Sequence, residues 1–190
     1  VYDEKKQRGF HVDKAKYDRF LRGDHQALEE LIGQYKETLT LYIYGYVKDI
    51  TEAENLMIDT FAQMVVSRGQ FKGKSSLKTY LFAIGRNEAL RYLKKNRRHL
   101  SLEDVGEDCL SVSQDFGVFQ QERNRQLYQA MAGLKQEYRQ VLFLLYFEDM
   151  TYSEAGQVMK KSEKQITNLA YRGKKALREK LEAGGFAYYE

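Results

Sequence analysis

Residues 151–177 read TYSEAGQVMKKSEKQITNLAYRGKKAL, and their pattern predicts the fold at the C-terminal end of the chain. Thr151 is followed three residues later by Glu154, and Ser162 is followed three residues later by Gln165. Each pair forms a capping box, the signature of a helix start. Because only three residues separate the first helix from the second, the spacing predicts a helix-turn-helix. An ordinary helical hairpin has the same outline, so the side chains of the second helix must distinguish the two.

Those side chains divide into two faces. Ile166, Ala170, Gly173 and Leu177 recur at helical spacing and are expected to pack inward. The outward positions begin in the N-terminal turns, where recognition helices meet base edges in the major groove. We therefore predict a duplex-binding set composed of Lys164, Thr167, Asn168, Tyr171, Arg172 and Lys175.

A second polar stripe precedes this region. A helix is predicted from about Ser76 to Arg98, after a loop over residues 69–75. One face is apolar, and Glu88 falls within it, so that carboxylate needs an edge position or a basic partner. The other face combines an aromatic ring, an amide and three cations: Tyr80, Asn87, Arg91, Lys94 and Arg98. Cations neutralise phosphates, aromatic rings stack on bases and amides read base edges, so this stripe suits single-stranded nucleic acid.

The remaining pattern is also helical. Asp24 is predicted to cap a helix over residues 25–47, and Thr51 with Glu54 predicts a capping box for a helix ending near Arg68. Further helices are expected at about 119–133 and 136–148. Proline is absent from all 190 residues, so nothing forces a break in the helices. The expected fold class is all-α.

The formal net charge of +4 hides an uneven distribution. Residues 68–98 contain ten basic side chains and one acidic one, and residues 160–180 contain eight and two. Between these basic segments, residues 99–121 contain five acidic side chains and no lysine or arginine. We expect two small helical domains, residues 1–98 and 120–190, joined by a flexible acidic linker over residues 99–119.

Several classes of function are excluded by the same residues. The glycines before Lys74 and Ser75 are separated by three residues, whereas a phosphate-binding loop needs four and follows a strand. The three histidines lie on separate segments, and Cys109 stands alone among acidic residues, so neither a metal site nor a nucleophile is expected. No cofactor and no catalysis are expected. No apolar run approaches the ~20 residues that span a bilayer. A single cysteine allows no disulfide within the chain, so a reducing cytoplasm is the expected location.

Three stretches together resemble bacterial sigma factors of the extracytoplasmic-function group: DITEAENLMIDTF at 49–61, FKGKSSLKTYLFAIGRN at 71–87, and EYRQVL at 137–142 continued by YRGKKAL at 171–177. The resemblance covers nearly the whole chain. It implies a non-catalytic subunit that binds the core RNA polymerase and gives it promoter specificity, and that is held inactive by an anti-sigma protein.

The resemblance also implies roles for individual residues. The helix from Thr51 to Arg68 would dock on the clamp helices of the core polymerase, and the helix at 138–147 would pack on the flap. The −10 element would be held as an unstacked strand by the loop and the polar stripe, and the −35 element would be read as duplex. The clamp contacts would be Glu52, Glu54, Asn55, Asp59 and Gln63. The loop contacts would be Gln70, Phe71, Lys72, Lys74, Ser75 and Ser76.

This sequence departs from the family pattern at a few positions. Tyr80 stands where tryptophan is usual, and the pair Lys160 and Lys161 replaces a usual Gly-Ile turn. Thr167 and Leu169 occupy positions that are often basic, which shifts the expected −35 contacts toward Lys164, Asn168 and Arg172. The alternative function is a helix-turn-helix regulator that binds a palindromic operator as a dimer and ignores the core polymerase. A nuclease or nucleotidyltransferase would need clustered carboxylates for a metal ion, and the sequence has none.

Overall fold

Helices account for the regular structure throughout the described part of the chain. The computed structural model describes residues 2–96 and 122–184, with side chains from residues 12–96 and 127–184. The expected all-α class is confirmed for these residues. The helices are α1 Tyr2–Leu21, α2 His25–Val47, α3 Ile50–Val66, α4 Leu77–Asn96, α5 Glu122–Ala132, α6 Gln136–Leu142, α7 Tyr152–Met159 and α8 Glu163–Ala183, and α6 continues as a π-helical segment, Phe143–Phe147.

Three of the four predicted helix caps are present. The Asp24 carboxylate accepts a hydrogen bond from the Ala27 N–H at 3.2 Å, and both capping boxes of the helix-turn-helix are formed. The capping box predicted at Thr51 is wrong. Asp49 caps α3 instead, because Lys48 turns the chain in the left-handed region (φ 62°) and the Asp49 carboxylate then accepts from the Glu52 N–H at 2.9 Å. Aspartate is also among the residues most favoured at this position.

Helix α1 was not expected from the sequence. Apolar residues are sparse along it, so no clear stripe marks its inner face. Tyr17 and Phe20 are nevertheless buried, and the Asp13 carboxylate accepts hydrogen bonds from the Tyr35 hydroxyl and, at 3.0 Å, from the Gln34 side chain. Contacts with α2 and with Phe71 in the loop before α4, all distant in sequence, hold this helix in place.

The helices pack around α2. Helices α1, α3 and α4 all lie against it, while α6 packs on α8 in the second half of the chain. The halves also meet, since α4 contacts α7 and α2 contacts α6. One apolar core runs through both halves and includes Tyr42, Phe82, Leu142 and Ile166.

Two basic side chains make polar contacts across the boundary between the two halves of the chain, which we call the seam. The Lys78 ammonium lies 2.9 Å from the Glu148 carboxylate and donates a second hydrogen bond to the Glu148 carbonyl. The Arg139 guanidinium donates to the Gly45 carbonyl at 2.9 Å. Burial raises the pKa of the Glu148 carboxyl, an effect that nearby Lys78 opposes.

The other boundaries agree with the sequence to within a few residues, except that the helix predicted over 136–148 is α-helical only to Leu142. The predicted linker over 99–119 lies outside the described residues, as does Arg98. The expected division into two domains therefore stays a prediction.

Candidate nucleic-acid interface

The loop between α3 and α4 is anchored by aromatic contacts. Phe71 is half-buried, and its ring lies 5.3 Å from the ring of Tyr80 and 5.2 Å from that of Tyr17. The Ser76 hydroxyl accepts a hydrogen bond from the Thr79 N–H at 3.0 Å, so this serine caps α4. Around this anchor the polar residues of the loop reach the surface, with Gln70, Lys72 and Lys74 exposed and Ser75 half-buried.

The predicted stripe on α4 is assembled as expected over the described residues. Asn87, Arg91 and Lys94 are exposed, and Tyr80 is half-buried at the loop end of the stripe. Desolvation raises the pKa of the Tyr80 hydroxyl, and the neighbouring phenol of Tyr17 raises it further. The helix therefore presents an aromatic ring, an amide and two cations along one continuous face.

Glu88 has the basic partner that its position within the apolar face requires. Its side chain is 7% exposed and pairs with the Arg91 guanidinium, which is 70% exposed. Arg91 therefore has a structural task besides any contact with phosphate.

We expect Arg91→Ala to lower the free energy of unfolding by about 1–2 kcal/mol, because the Glu88 carboxylate would remain buried without its cation. Adding Glu88→Leu should restore most of that loss, since the buried charge disappears as well. Denaturant unfolding of the two single variants and the double variant measures the coupling. Additive effects of the two substitutions would contradict this assignment.

The turn of the helix-turn-helix is tightly packed and hydrogen-bonded. Lys160 adopts the left-handed conformation (φ 55°), and its backbone N–H donates to the Gly156 carbonyl. The Lys161 N–H donates to the same carbonyl at 2.9 Å, and the Lys161 ammonium lies 2.9 Å from Glu137 on α6. A β-carbon on Gly156 would lie 2.7 Å from the Lys161 carbonyl oxygen, so the turn has room only for glycine there.

Helix α8 orients its residues as the sequence predicts. Ile166, Ala170 and Gly173 are buried and Leu177 is half-buried. All six residues of the predicted duplex-binding set are exposed: Lys164, Thr167, Asn168, Tyr171, Arg172 and Lys175. The Thr167 hydroxyl donates to the Glu163 carbonyl at 2.9 Å, and Leu169 is half-buried. The expectation that Lys164, Asn168 and Arg172 carry most of the −35 contacts stays a prediction.

The outer face of α3 is polar with apolar side chains interspersed. Glu54, Asn55, Asp59 and Gln63 are exposed and Glu52 is half-buried. Sequence reasoning missed Ile58 and Val66, which are 59% and 82% exposed. The sequence feature that could have identified them is an apolar residue outside the inward-facing stripe of the helix. Exposed apolar side chains beside carboxylates are typical of a protein-docking surface.

The helix predicted to contact the flap, residues 138–147, has most of its apolar side chains buried in the protein core. Val141, Leu142 and Leu144 are buried, while Tyr146 is 52% exposed with the Lys174 ammonium 5.9 Å from its ring centre. Tyr146 therefore offers the largest exposed apolar area on this segment.

Metal chemistry finds no support in the described residues. Within residues 2–96 and 122–184, the histidine, cysteine, aspartate and glutamate side chains form no group of three that could hold a metal ion. No helix in the same ranges has both the length and the apolar character needed to cross a membrane.

Two family models match the chain. The model described as Sigma-70 region 2 matches residues 31–99, and the model described as Sigma-70, region 4 matches residues 124–177. The first therefore contains α3, the loop and α4, while the second contains the helix-turn-helix.

Individual relatives agree with these matches. The chain is 26% identical over 164 residues to the ECF RNA polymerase sigma factor SigX of Bacillus subtilis (strain 168), covering 83% of this chain and 84% of SigX. Its fold is similar to that of CnrH in complex with the cytosolic domain of CnrY, with a TM-score of 0.66 at 18% identity over 90% of this chain and 97% of that one. The sigma factor RpoE in complex with the anti-sigma factor NepR from Bartonella quintana gives a TM-score of 0.66 at 19% identity, covering 81% and 96%.

The two matched regions and the exposed basic helices define a transcription initiation factor of the sigma-70 type. Within that class, the chain belongs to the extracytoplasmic-function group of bacterial RNA polymerase sigma factors. The alternative of a helix-turn-helix regulator acting without polymerase is not supported, because such a regulator needs no region 2.

Proposed function

We propose that this chain binds the core RNA polymerase and directs it to promoters by capturing the −10 element as an unstacked strand and reading the −35 element as duplex. One observation carries the proposal: a single chain exposes two different DNA-directed surfaces. The stripe on α4 mixes an aromatic ring with polar groups, whereas α8 projects polar and basic side chains from a helix-turn-helix. A repressor that binds only duplex needs the second surface alone.

In this proposal the chain works as two units. Residues 1–98 dock on the polymerase and open the −10 element, residues 120–190 hold the −35 element, and residues 99–119 connect them. The outer face of α3 contacts the clamp helices, and its exposed Ile58 and Val66 add apolar area to the carboxylates. The contact with the flap comes from the segment that exposes Tyr146.

The chain has no catalysis of its own, acts in the cytoplasm where the polymerase is, and is held inactive by an anti-sigma protein. Support for that partner comes from CnrH and RpoE, whose solved structures are complexes with CnrY and with the anti-sigma factor NepR.

The decisive experiment combines the purified chain with core polymerase and promoter fragments. We expect a stable complex with the core and promoter-dependent runoff transcripts. A chain that binds operator-like duplex but not the core polymerase would refute the proposal.

Asn87→Ala separates promoter opening from docking. Asn87 is exposed on the α4 stripe, and loss of a base-edge hydrogen bond should reduce open-complex formation roughly tenfold while core binding stays unchanged. Permanganate reactivity of the −10 thymines measures opening, and co-purification with core polymerase measures docking. Gln26→Ala, which removes an exposed amide from α2, is the matched control and should leave both unchanged. Equal losses of opening and of core binding in Asn87→Ala would refute the role assigned to this residue.

A further inference from the structure

Tyr17 has an unusual environment for a buried phenol. Its side chain is 1% exposed on α1, and its hydroxyl has no hydrogen-bond partner among the described residues. Buried tyrosine hydroxyls usually find a partner, because an unmatched polar group is costly in an apolar interior. A buried hydroxyl left unmatched in the free protein therefore points to a ligand that completes it.

The position of Tyr17 identifies where that ligand would bind. The Tyr17 ring meets the Phe71 ring edge-on, at 5.2 Å and 87°, and Phe71 in turn lies against Tyr80. Tyr17 thus forms the back of the aromatic cluster that begins at the exposed stripe of α4. Phe71 belongs to the loop rather than to a helix and is only half-buried, so another ring can take its place without disrupting a helix.

A cation from the same helix lies beside the loop. Lys14 precedes Tyr17 by one helical turn and is exposed. A β-carbon built on Gly73 would lie 3.7 Å from the Lys14 Cε and 3.8 Å from its Nζ, which places the ammonium at the loop backbone. Helix α1 therefore brings a hydroxyl and a cation to the same side of the loop.

We infer that α1 forms a further wall of the −10 site, in which the Tyr17 hydroxyl hydrogen-bonds to the edge of one unstacked base and the Lys14 ammonium pairs with a neighbouring phosphate. This inference rests on the proposed capture of single-stranded DNA by the loop and α4. It adds residues from a helix that precedes the region 2 match at 31–99. A phenol both donates and accepts a hydrogen bond, so it can complement the polar edge of a base, and the surrounding rings supply stacking.

Tyr17→Phe tests the hydroxyl, because it keeps the ring and removes one oxygen. The probe is holoenzyme with a single-stranded oligonucleotide carrying the non-template −10 sequence of a promoter that it transcribes. We expect the Kd to rise about five- to tenfold, as for one lost hydrogen bond. An abasic residue, introduced at each −10 position in turn, should identify one position at which wild type and Tyr17→Phe bind equally well. The free variant should fold with at least the stability of the wild type, because the hydroxyl has no partner to lose.

Lys14→Gln tests the phosphate contact. On the same oligonucleotide it should lower the slope of log K against log salt by about 0.7, the value expected for one phosphate on a single strand. Lys36→Gln removes an exposed lysine from α2 and should leave the slope unchanged.

The outcomes separate this inference from the proposed function. If wild-type holoenzyme binds the oligonucleotide and Tyr17→Phe binds it equally tightly, α1 is not a wall of the site and the inference is overturned. The inference is also overturned if Tyr17→Phe binds every abasic oligonucleotide more weakly than the wild type does. The hydroxyl would then affect affinity only through the stability of the fold and not through contact with one base. Failure of the wild-type chain to form holoenzyme would instead overturn the proposed function.

Discussion

Gly156→Val is expected to destabilise the helix-turn-helix by about 3 kcal/mol and to weaken binding of −35 duplex at least tenfold. A β-carbon at this position would lie 2.7 Å from the Lys161 carbonyl oxygen, and that atom belongs to the backbone of the turn. The backbone of the turn cannot rotate away as the end of a flexible side chain can. To relieve the clash, α7 and α8 must therefore separate or tilt relative to each other. The angle between these helices sets the approach of α8 to DNA, and the loss of stability should therefore be accompanied by a loss of affinity.

Gln157→Val is the matched control. Gln157 is the next residue on α7 and is exposed, so valine there changes helix propensity by only a few tenths of a kcal/mol. Denaturant unfolding gives the stabilities, and fluorescence anisotropy with a −35 duplex gives the affinities. Equal stability of Gly156→Val and Gln157→Val would show that the turn accommodates a β-carbon at position 156.

Arg139→Met should lower the free energy of unfolding by a similar amount, because Arg139 bonds across the seam between the two halves. The Arg139 guanidinium donates to the Ala132 carbonyl at 2.7 Å, to the Leu134 carbonyl at 3.3 Å and, on α2, to the Gly45 carbonyl at 2.9 Å. One charged group therefore ties the turn between α5 and α6 to the first half of the chain. Hydrogen bonds to charged groups contribute about 1.5–3 kcal/mol each, and these contributions are not additive, so we expect a loss of about 3 kcal/mol.

The same variant should separate the two halves. Small-angle scattering of the Arg139→Met chain should give a larger radius of gyration than the wild type, and denaturant unfolding should show the lost stability. Arg178→Met removes an exposed guanidinium from α8 and serves as the control. We expect it to change neither the radius of gyration nor the stability. An unchanged radius and unchanged stability in Arg139→Met would show that the Arg139 hydrogen bonds do not hold the two halves together.

Local chemistry explains why much of the fold could be predicted. The capping boxes at Thr151 and Ser162 formed as expected, because each cap depends only on residues within one helical turn. The inward placement of Ile166 and Ala170 follows from helical periodicity in the same way. The Thr51 cap failed for a local reason as well, since the left-handed Lys48 offered Asp49 as a nearer alternative.

The candidate site was only partly predictable. The exposed face of α4 follows from spacing, and so did the need of Glu88 for a partner, although Arg91 could not be named as that partner. Tyr17 was missed because its contact with Phe71 joins residues more than 50 positions apart, across α2 and α3. Nothing in the periodicity of α1 indicates such a contact.

Capping, periodicity and side-chain chemistry act over a few residues, so they were enough to predict the helices that follow α1, the two DNA-directed faces and the resemblance to the family. Only the tertiary structure shows which residues of different helices and loops lie together. Burial of Tyr17 against the loop, the Lys78–Glu148 pair and the Arg139 contact with Gly45 all depend on how distant helices pack. Packing minimises exposed apolar area over the whole chain at once, so these contacts cannot be read from any single segment.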